Sequence, residues 1–280
     1  MLIIKKINDL SLCLNKHRTL QDSIGFVPTM GALHQGHISL MDACKRENTV
    51  CVASIFINPA QFNNARDFQK YPVTIESDID MLEAAGCDIL FLPSTDEIYP
   101  PGINAINYNI GPLETMLEGK FRPGHFQGVA RVVDKLLSIV LPDNLYLGQK
   151  DYQQCMVISK LMKDKNYIAS IHICPIVRET DGLAMSSRNM RLNEMERKVA
   201  PAIYKILLNI KQNFKPGDLD AIKKEAATSL NQLGFKTDYV EIVNADTLST
   251  LNEWDGKTKA VALVAAYINE IRLIDNLILK

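Results

Sequence analysis

The six cysteines, Cys13, Cys44, Cys51, Cys87, Cys155 and Cys174, include no Cys-x-x-Cys pair and lie mostly in apolar runs. That scatter speaks against a zinc site or a redox pair and reads as buried, reduced thiols of a cytoplasmic chain. An excess of one charge is also lacking. With 31 Lys plus Arg against 32 Asp plus Glu, the formal charge is −1, which argues against a basic nucleic-acid-binding surface. Long hydrophobic runs are missing too: Val261–Ile268 is apolar throughout but far short of the roughly 20 residues of a membrane span. The opening Met1-Leu-Ile-Ile-Lys-Lys has too short an apolar run for a signal peptide. The expectation is therefore a cytoplasmic chain with no membrane and no nucleic-acid partner. No two glycines stand two apart, so the Gly-x-Gly-x-x-Gly dinucleotide fingerprint is absent.

What is present is an ordinary globular composition, 47% hydrophobic and 22% charged over 280 residues, which suggests about two domains. In the first half, short runs apolar on both faces (24–28, 50–57, 88–92, 144–147 and 168–174) alternate with segments of helical spacing. Ile38, Met41 and Cys44 form one such stripe. Ile75, Ile79 and Leu82 form another, with Gly86 as its stop, and Val129, Val132, Val133, Leu136, Leu137 and Val140 form a third, ended by Pro142. Buried strands alternating with amphipathic helices predict an α/β fold, a Rossmann-like doubly wound parallel sheet, over residues 1–175. After Pro175 the order changes to helices over 194–214 and 219–233, then strands over 237–243 and 259–267. That predicts a smaller α+β domain over 176–280. In open α/β sheets the chemistry lies beyond the carboxyl ends of the strands.

The strongest motif sits there: Phe26-Val-Pro-Thr-Met-Gly-Ala-Leu-His34-Gln-Gly36-His37, between a strand and a helix. A helix N-terminus offers unpaired N–H groups to an anion, and Gly31 and Gly36 let backbone approach a phosphate. His37-Ile38 replaces the Lys-Ser/Thr of a phosphate-binding loop, so this is not one. Two imidazoles can instead donate to phosphoryl oxygens or, as imidazolium, neutralise developing charge. A second cluster, Leu147-Gly148-Gln149-Lys150-Asp151-Tyr152-Gln153-Gln154, also opens a helix. Lys150 would put a compact cation over phosphates, while Asp151 and Gln154 equally suit a capping box. A third, Arg178 to Asn189, combines a turn at Asp181-Gly182 with the donors Ser186, Ser187 and Arg188. Gln61, after Asn58-Pro59, could donate to a carboxylate or hydroxyl. Asp78 and Asp80 equally suit the start of a helix.

Taken together, these residues resemble the pantoate–β-alanine ligase family. The resemblance rests on Pro28 to His37, Ile57 to Phe62, Arg122-Pro-Gly-His-Phe-Gln-Gly128, Leu147 to Gln154 and Asp181 to Arg188, five motifs in one order across nearly the whole chain. His-x-Gly-His and Met-Ser-Ser-Arg are similar, more distantly, to the signatures of class I aminoacyl-tRNA synthetases and related nucleotidylyltransferases. Gln149 stands where many relatives have Glu. The resemblance implies a two-step ligation. Pantoate attacks the α-phosphorus of ATP to give pantoyl adenylate and pyrophosphate, and β-alanine then displaces AMP. It implies that Met30, Gly31, Ala32, Leu33, His34, Gln35, Gly36, His37, Gly148, Gln149, Lys150, Asp151, Val177, Met185, Ser186, Ser187 and Arg188 line the ATP site. His37, the implied proton donor, with His34, Lys150 and Arg188, would be catalytic. Gln61, Gln154, Pro28 and Thr29 would hold the small substrates, and Asp78 would be the acid associated with Mg²⁺. A cytoplasmic homodimer is implied as well.

Other readings are a small-molecule adenylyltransferase, which would release the AMP-containing product, and a non-catalytic nucleotide-binding regulator. A tRNA synthetase is opposed by the charge balance and chain length.

Overall fold

The computed structural model describes residues 1–102 and 106–280. It divides into two compact units, Met1–Gln149 with Gln153–Pro175, and Lys150–Tyr152 with Ile176–Lys280.

The first unit is built on six strands: β1 (Leu2–Ile4), β2 (Ile24–Thr29), β3 (Val50–Ile55), β4 (Ile89–Phe91), β5 (Asn144–Gly148) and β6 (Ser170–Cys174). They form one parallel sheet in the order β1-β4-β3-β2-β5-β6. All six residues of β3 are buried, as expected of a strand covered on both faces, so its sequence shows a continuous apolar run rather than alternation. On one face Met41 and Cys44 of the helix Gln35–Glu47 and Leu82 of the helix Ile75–Ala84 meet Val27, Cys51, Ala53 and Leu90. The helix His125–Val140 buries a wide stripe including Phe126, Val129, Val133, Leu136 and Val140. Gly25 shows how closely β2 and the helix Gln35–Glu47 approach. A Cβ there would lie 2.6 Å from Asn48 Nδ2 and closer still to Cys44 Sγ.

All six cysteines are free thiols; Cys13 and Cys174 are half-buried and the others buried. A hydrogen bond with Cys51 and burial push the Cys44 thiol far up, and burial pushes Cys87 up to about 12. These thiols stay protonated and pack as small apolar groups.

The second unit carries helices Glu194–Val199, Ala202–Asn213 and Asp220–Gln232. Its strands are β7 (Gly217–Asp218), β8 (Lys236–Asn244), β9 (Glu253–Trp254), β10 (Ala260–Ile268) and β11 (Ile271–Ile278). An antiparallel sheet in the order β11-β10-β8 packs Val240, Ile242, Ala262, Val264 and Leu273 against Ile203, Leu207, Ile210 and Leu230. β7 and β9 form a separate pair.

The single helix expected over 194–214 is broken. Pro201 has no N–H to continue the ladder, and the second helix starts at Ala202. Four strands escaped sequence reading, among them the two-residue β7 and β9. β1 is only three residues long. In β11 polar residues interrupt the apolar run, yet two of them, Asp275 and Asn276, are buried.

Candidate active site

Three neighbouring strands of the first unit deliver the singled-out residues. β3 leads to Gln61, β2 to Met30–His37, and β5 to the segment containing Gln154, all at carboxyl ends. The chain runs outward in opposite directions from β2 and β5, so this is the topological switch point at which open α/β sheets bind ligands.

His34 is the N-cap of the helix Gln35–Glu47. Its Nδ1 accepts the Gly36 N–H at 3.1 Å, and His37 Nδ1 accepts the His34 N–H at 3.3 Å. The two imidazoles thus make a reciprocal capping box, the role usually taken by Ser/Thr and Glu. The rings lie 4.1 Å apart. An Nδ1 that accepts leaves Nε2 as the ring's donor atom.

The loop before the cap is held as tightly. Gly31 and Ala32 both adopt left-handed backbone, φ +81° and +49°, costly for Ala32 unless the surroundings enforce it. Asp78 does so. Its Oδ2 accepts Ala32 N–H at 2.9 Å and its Oδ1 accepts Leu33 N–H at 2.8 Å, with Thr74 Oγ1 donating to Oδ1 at 3.0 Å. Asp78 is 1% exposed. The carboxylate therefore anchors the loop, both of its oxygens engaged by the protein. Among the described residues no group of three or more His, Cys, Asp or Glu side chains could hold a metal ion. Several backbone N–H groups of this segment are already engaged. Those of Ala32 and Leu33 go to Asp78, that of Gly36 to His34 Nδ1, and that of His37 to the His34 carbonyl at 2.8 Å. Thr29 is likewise committed. Its hydroxyl donates to Ser54 O at 2.7 Å and accepts Gly31 N–H at 3.3 Å. Pro28, within β2, can offer only its ring.

Gln61 ends a short 3-10 turn, Pro59–Gln61. Its Oε1 accepts from Asn58 Nδ2 at 3.1 Å, while its Nε2 faces only the thioether of Met30, at 2.8 Å. Sulfur is a weak acceptor, so this amide is readily turned over to a ligand oxygen. Asn58, 1% exposed, also donates to Gly128 O at 3.0 Å and accepts from Tyr99 Oη at 3.0 Å and Ala60 N–H at 3.2 Å. Burial raises Tyr99 to about 12, which keeps that donor protonated. His125 donates its Nδ1–H to Gln61 O at 2.7 Å. Gly128 lies so close to Ala60 that its backbone leaves no room for a Cβ. The Arg122–Gly128 motif thus holds Gln61 from behind. Sequence reading had the motif but not its task, because the bonds join segments more than sixty residues apart.

Gln153 and Gln154 divide the work differently. Gln153 is buried and committed. Its Oε1 accepts Glu118 N–H at 2.9 Å, and its Nε2 donates to Leu113 O and Met116 O at 2.8 and 2.9 Å. Gln154 is half-buried and forms no capping box. Asp151 sits 3.8 Å from Lys150 Nζ. Gly148 closes β5, and Gln149 begins a 3-10 turn.

In the second unit Lys150 is mostly covered, its side chain 19% exposed. Val177 and Met185 pair across a hairpin, Met185 N–H donating to Val177 O at 3.0 Å. Ser186 caps the turn Ser187–Arg191 by accepting the Arg188 N–H at 3.3 Å.

A family profile described as pantoate-beta-alanine ligase matches residues 2–278. A pantothenate synthetase of Cytophaga hutchinsonii is 49% identical over 100% of this chain and 99% of its own length. The crystal structure of the Thermus thermophilus pantothenate synthetase superposes with a TM-score of 0.91 at 40% identity, covering 99% of each chain. That of a Francisella tularensis pantoate-beta-alanine ligase, described as complexed with beta-gamma ATP and beta-alanine, gives 0.84 at 41%, over 99% of this chain and 97% of that one. The chain belongs to the pantoate–β-alanine ligase family, and its Rossmann-like sheet with a smaller antiparallel unit is that family's fold.

Proposed function

We propose that this chain joins pantoate to β-alanine at the expense of ATP, through pantoyl adenylate, as a cytoplasmic homodimer. In the first step a pantoate carboxylate oxygen bonds to the α-phosphorus and pyrophosphate leaves. In the second the β-alanine nitrogen bonds to the acyl carbon, AMP leaves, and the amine gives up a proton. Mg²⁺ enters as the companion of the ATP phosphates, and no step is assigned to it.

What carries this reading is the character of the groups at the switch point. Gln61 and Gln154 are uncharged amides, Gln61 held only by a thioether on its donor side. A carboxylate that must act as nucleophile is oriented by such donors without the loss of nucleophilicity that an arginine clamp would bring. His34 and His37 present Nε2–H donors from a fixed helix start, suited to charge that grows on phosphoryl oxygens as the leaving group departs. Met30 to His37, Gly148 to Asp151, Val177 and Met185 to Arg188 are assigned to ATP. Within that set Ala32, Leu33 and Gly36 contribute shape rather than N–H donors. Lys150 and Arg188 supply cationic charge for the phosphates. Among the described residues no helix is long and apolar enough to cross a membrane.

Incubation with ATP, pantoate and β-alanine should release AMP and pyrophosphate only when pantoate is present. Hydroxylamine in place of β-alanine should yield a hydroxamate. Release of ADP and phosphate would overturn the mechanism. Retention of AMP in the final product would mark an adenylyltransferase.

A further inference from the structure

Two consecutive residues of β11 tie together the segments of the second unit assigned to ATP, although they stand far along the chain from both. Successive side chains of a strand point to opposite faces, and here both are buried: Asp275 is 4% and Asn276 1% exposed. Asn276 Nδ2 donates to the Lys150 carbonyl at 3.0 Å. Asp275 receives the guanidinium fork of Arg178, Nη1 to Oδ2 at 2.6 Å and Nη2 to Oδ1 at 3.0 Å. Nη2 also reaches Asn276 O at 3.3 Å, Nη1 reaches Gly182 O at 3.1 Å, and the guanidinium carbon lies 3.7 Å from the Tyr204 ring centre. Arg178 is thus consumed by structure. It stands at the base of the hairpin in which it bridges to Ala184 and Glu179 N–H donates to Leu183 O. The returning leg of that hairpin, Leu183 to Met185, leads directly into Ser186–Arg188.

We infer that Asp275 and Asn276 are positioning residues for nucleotide, fixing the Lys150 backbone and the hairpin that leads into Ser186–Arg188 to the same two positions of one strand. This rests on the proposed assignment of those segments to ATP. Two groups that act on one triphosphate must keep their spacing to within a fraction of an ångström, and misplacement by about 1 Å costs about 10²-fold in rate. A shared anchor sets that spacing without either segment touching the other. A strand position serves better than a loop for such an anchor. It also accounts for a buried Asp-Asn pair in a strand whose other buried residues, Ile271 and Leu273, are apolar. Burial raises Asp275 while Arg178 opposes the rise, the mark of a carboxylate kept inside for its partner.

Asn276→Asp, of the same size but unable to donate, and Asn276→Ala test this, with Asp238→Asn as the control. Asp238 pairs with Arg272 Nε at 2.8 Å in the same unit and touches neither segment. Folding is read from the single tryptophan, Trp254, which stacks on Phe214 at 4.1 Å within this unit. The Asn276 variants should raise the ATP KM and slow pyrophosphate release by about 10- to 100-fold. The pantoate KM, and aminolysis of supplied pantoyl adenylate, should stay within about twofold. Titration with a non-hydrolysable ATP analogue should show the same weakening, and hydrogen exchange should quicken in residues 149–152. Asp238→Asn should move the Trp254 unfolding midpoint and none of these. If ATP binding falls equally in control and Asn276 variants, in proportion to lost stability, the inference is overturned. It is also overturned if folded Asn276 variants bind the analogue like the wild type. Should the wild type itself bind no ATP analogue, it is the functional assignment that fails.

Discussion

Two strand-to-helix junctions carry most of the polar residues discussed above, and they are stabilised in opposite ways. After β2, the junction Met30–His37 is locked from within its own unit. Thr29, Asp78, His34 and His37 take up backbone N–H groups there, Thr29 and Asp78 between them those of the left-handed Gly31 and Ala32. After β5, the junction Gln149–Gln154 is tied to a residue far along the chain. Lys150–Tyr152 groups with the second unit, and the Lys150 carbonyl accepts from Asn276 Nδ2. One junction is rigid by local accounting of donors and acceptors. The other takes its geometry from a distant strand. Sequence motifs alone make them look equivalent.

Asp78→Ala should break this contrast most severely. It orphans two buried N–H groups, at about 1–3 kcal/mol each, so unfolding by urea should show a loss of about 2–6 kcal/mol and pyrophosphate release should collapse. Asp151→Ala, at the other junction, should stay within about 0.5 kcal/mol of the wild type. Equal losses would erase the distinction.

Next in size are the histidines. His34→Ala and His37→Ala should each slow single-turnover adenylation about 10²–10³-fold, and His34→Ala should also lose about 0.5–2 kcal/mol of capping. His34→Asn separates the two roles, because Asn caps well but offers no Nε2–H. Its stability should return while its rate does not. Full recovery of rate would leave His34 a cap and nothing more.

A smaller effect distinguishes the adjacent glutamines. Gln61→Ala and Gln154→Ala should raise the pantoate KM by about 1–3 kcal/mol, roughly 5- to 150-fold, with ATP binding intact. Gln153→Ala should instead lower the melting temperature with little change in pantoate KM. A reversed pattern would reassign the pair.

The smallest lies in the second unit's hairpin. The hydrogen bond and charge of Arg197 hold Asp181 below its usual value. A depressed carboxylate contributes stability above its unfolded value, about 3.8, and loses it as pH falls through the lower folded value. Both side chains are more than a third exposed, so Asp181→Asn should cost well under 1 kcal/mol at neutral pH. That difference should vanish towards pH 2 in acid unfolding followed by Trp254 fluorescence.

The sheet of the first unit was legible because strands buried on both faces leave unbroken apolar runs such as Val50–Ile55, and glycine, proline or asparagine mark their ends. The helix break at Pro201 was legible in principle, since proline's missing donor is a local fact. β11 was not, because Arg272, Asp275 and Asn276 satisfy their polarity with partners far away in sequence. The site divides along the same line. Its residue types could be read from motifs, but which groups face a ligand depends on which are already engaged. Nothing local distinguishes Gln153 from Gln154, or marks Thr29 and Asp78 as scaffold. Asn58, His125 and Gly128, which hold Gln61 in place, show only when the segments meet.

Gly25 gives the first junction a remote fulcrum. It sits against Cys44 and Asn48, at the trailing end of the helix whose leading end is His34. That helix is 13 residues long, a stiff rod of about 20 Å at about 1.5 Å per residue. A methyl group at position 25 has nowhere to go except into the foot of the rod. Any tilt that relieves it swings the imidazoles at the far tip through a larger arc. The glycine of β2 thus works as a pivot bearing, setting the aim of two rings it never touches.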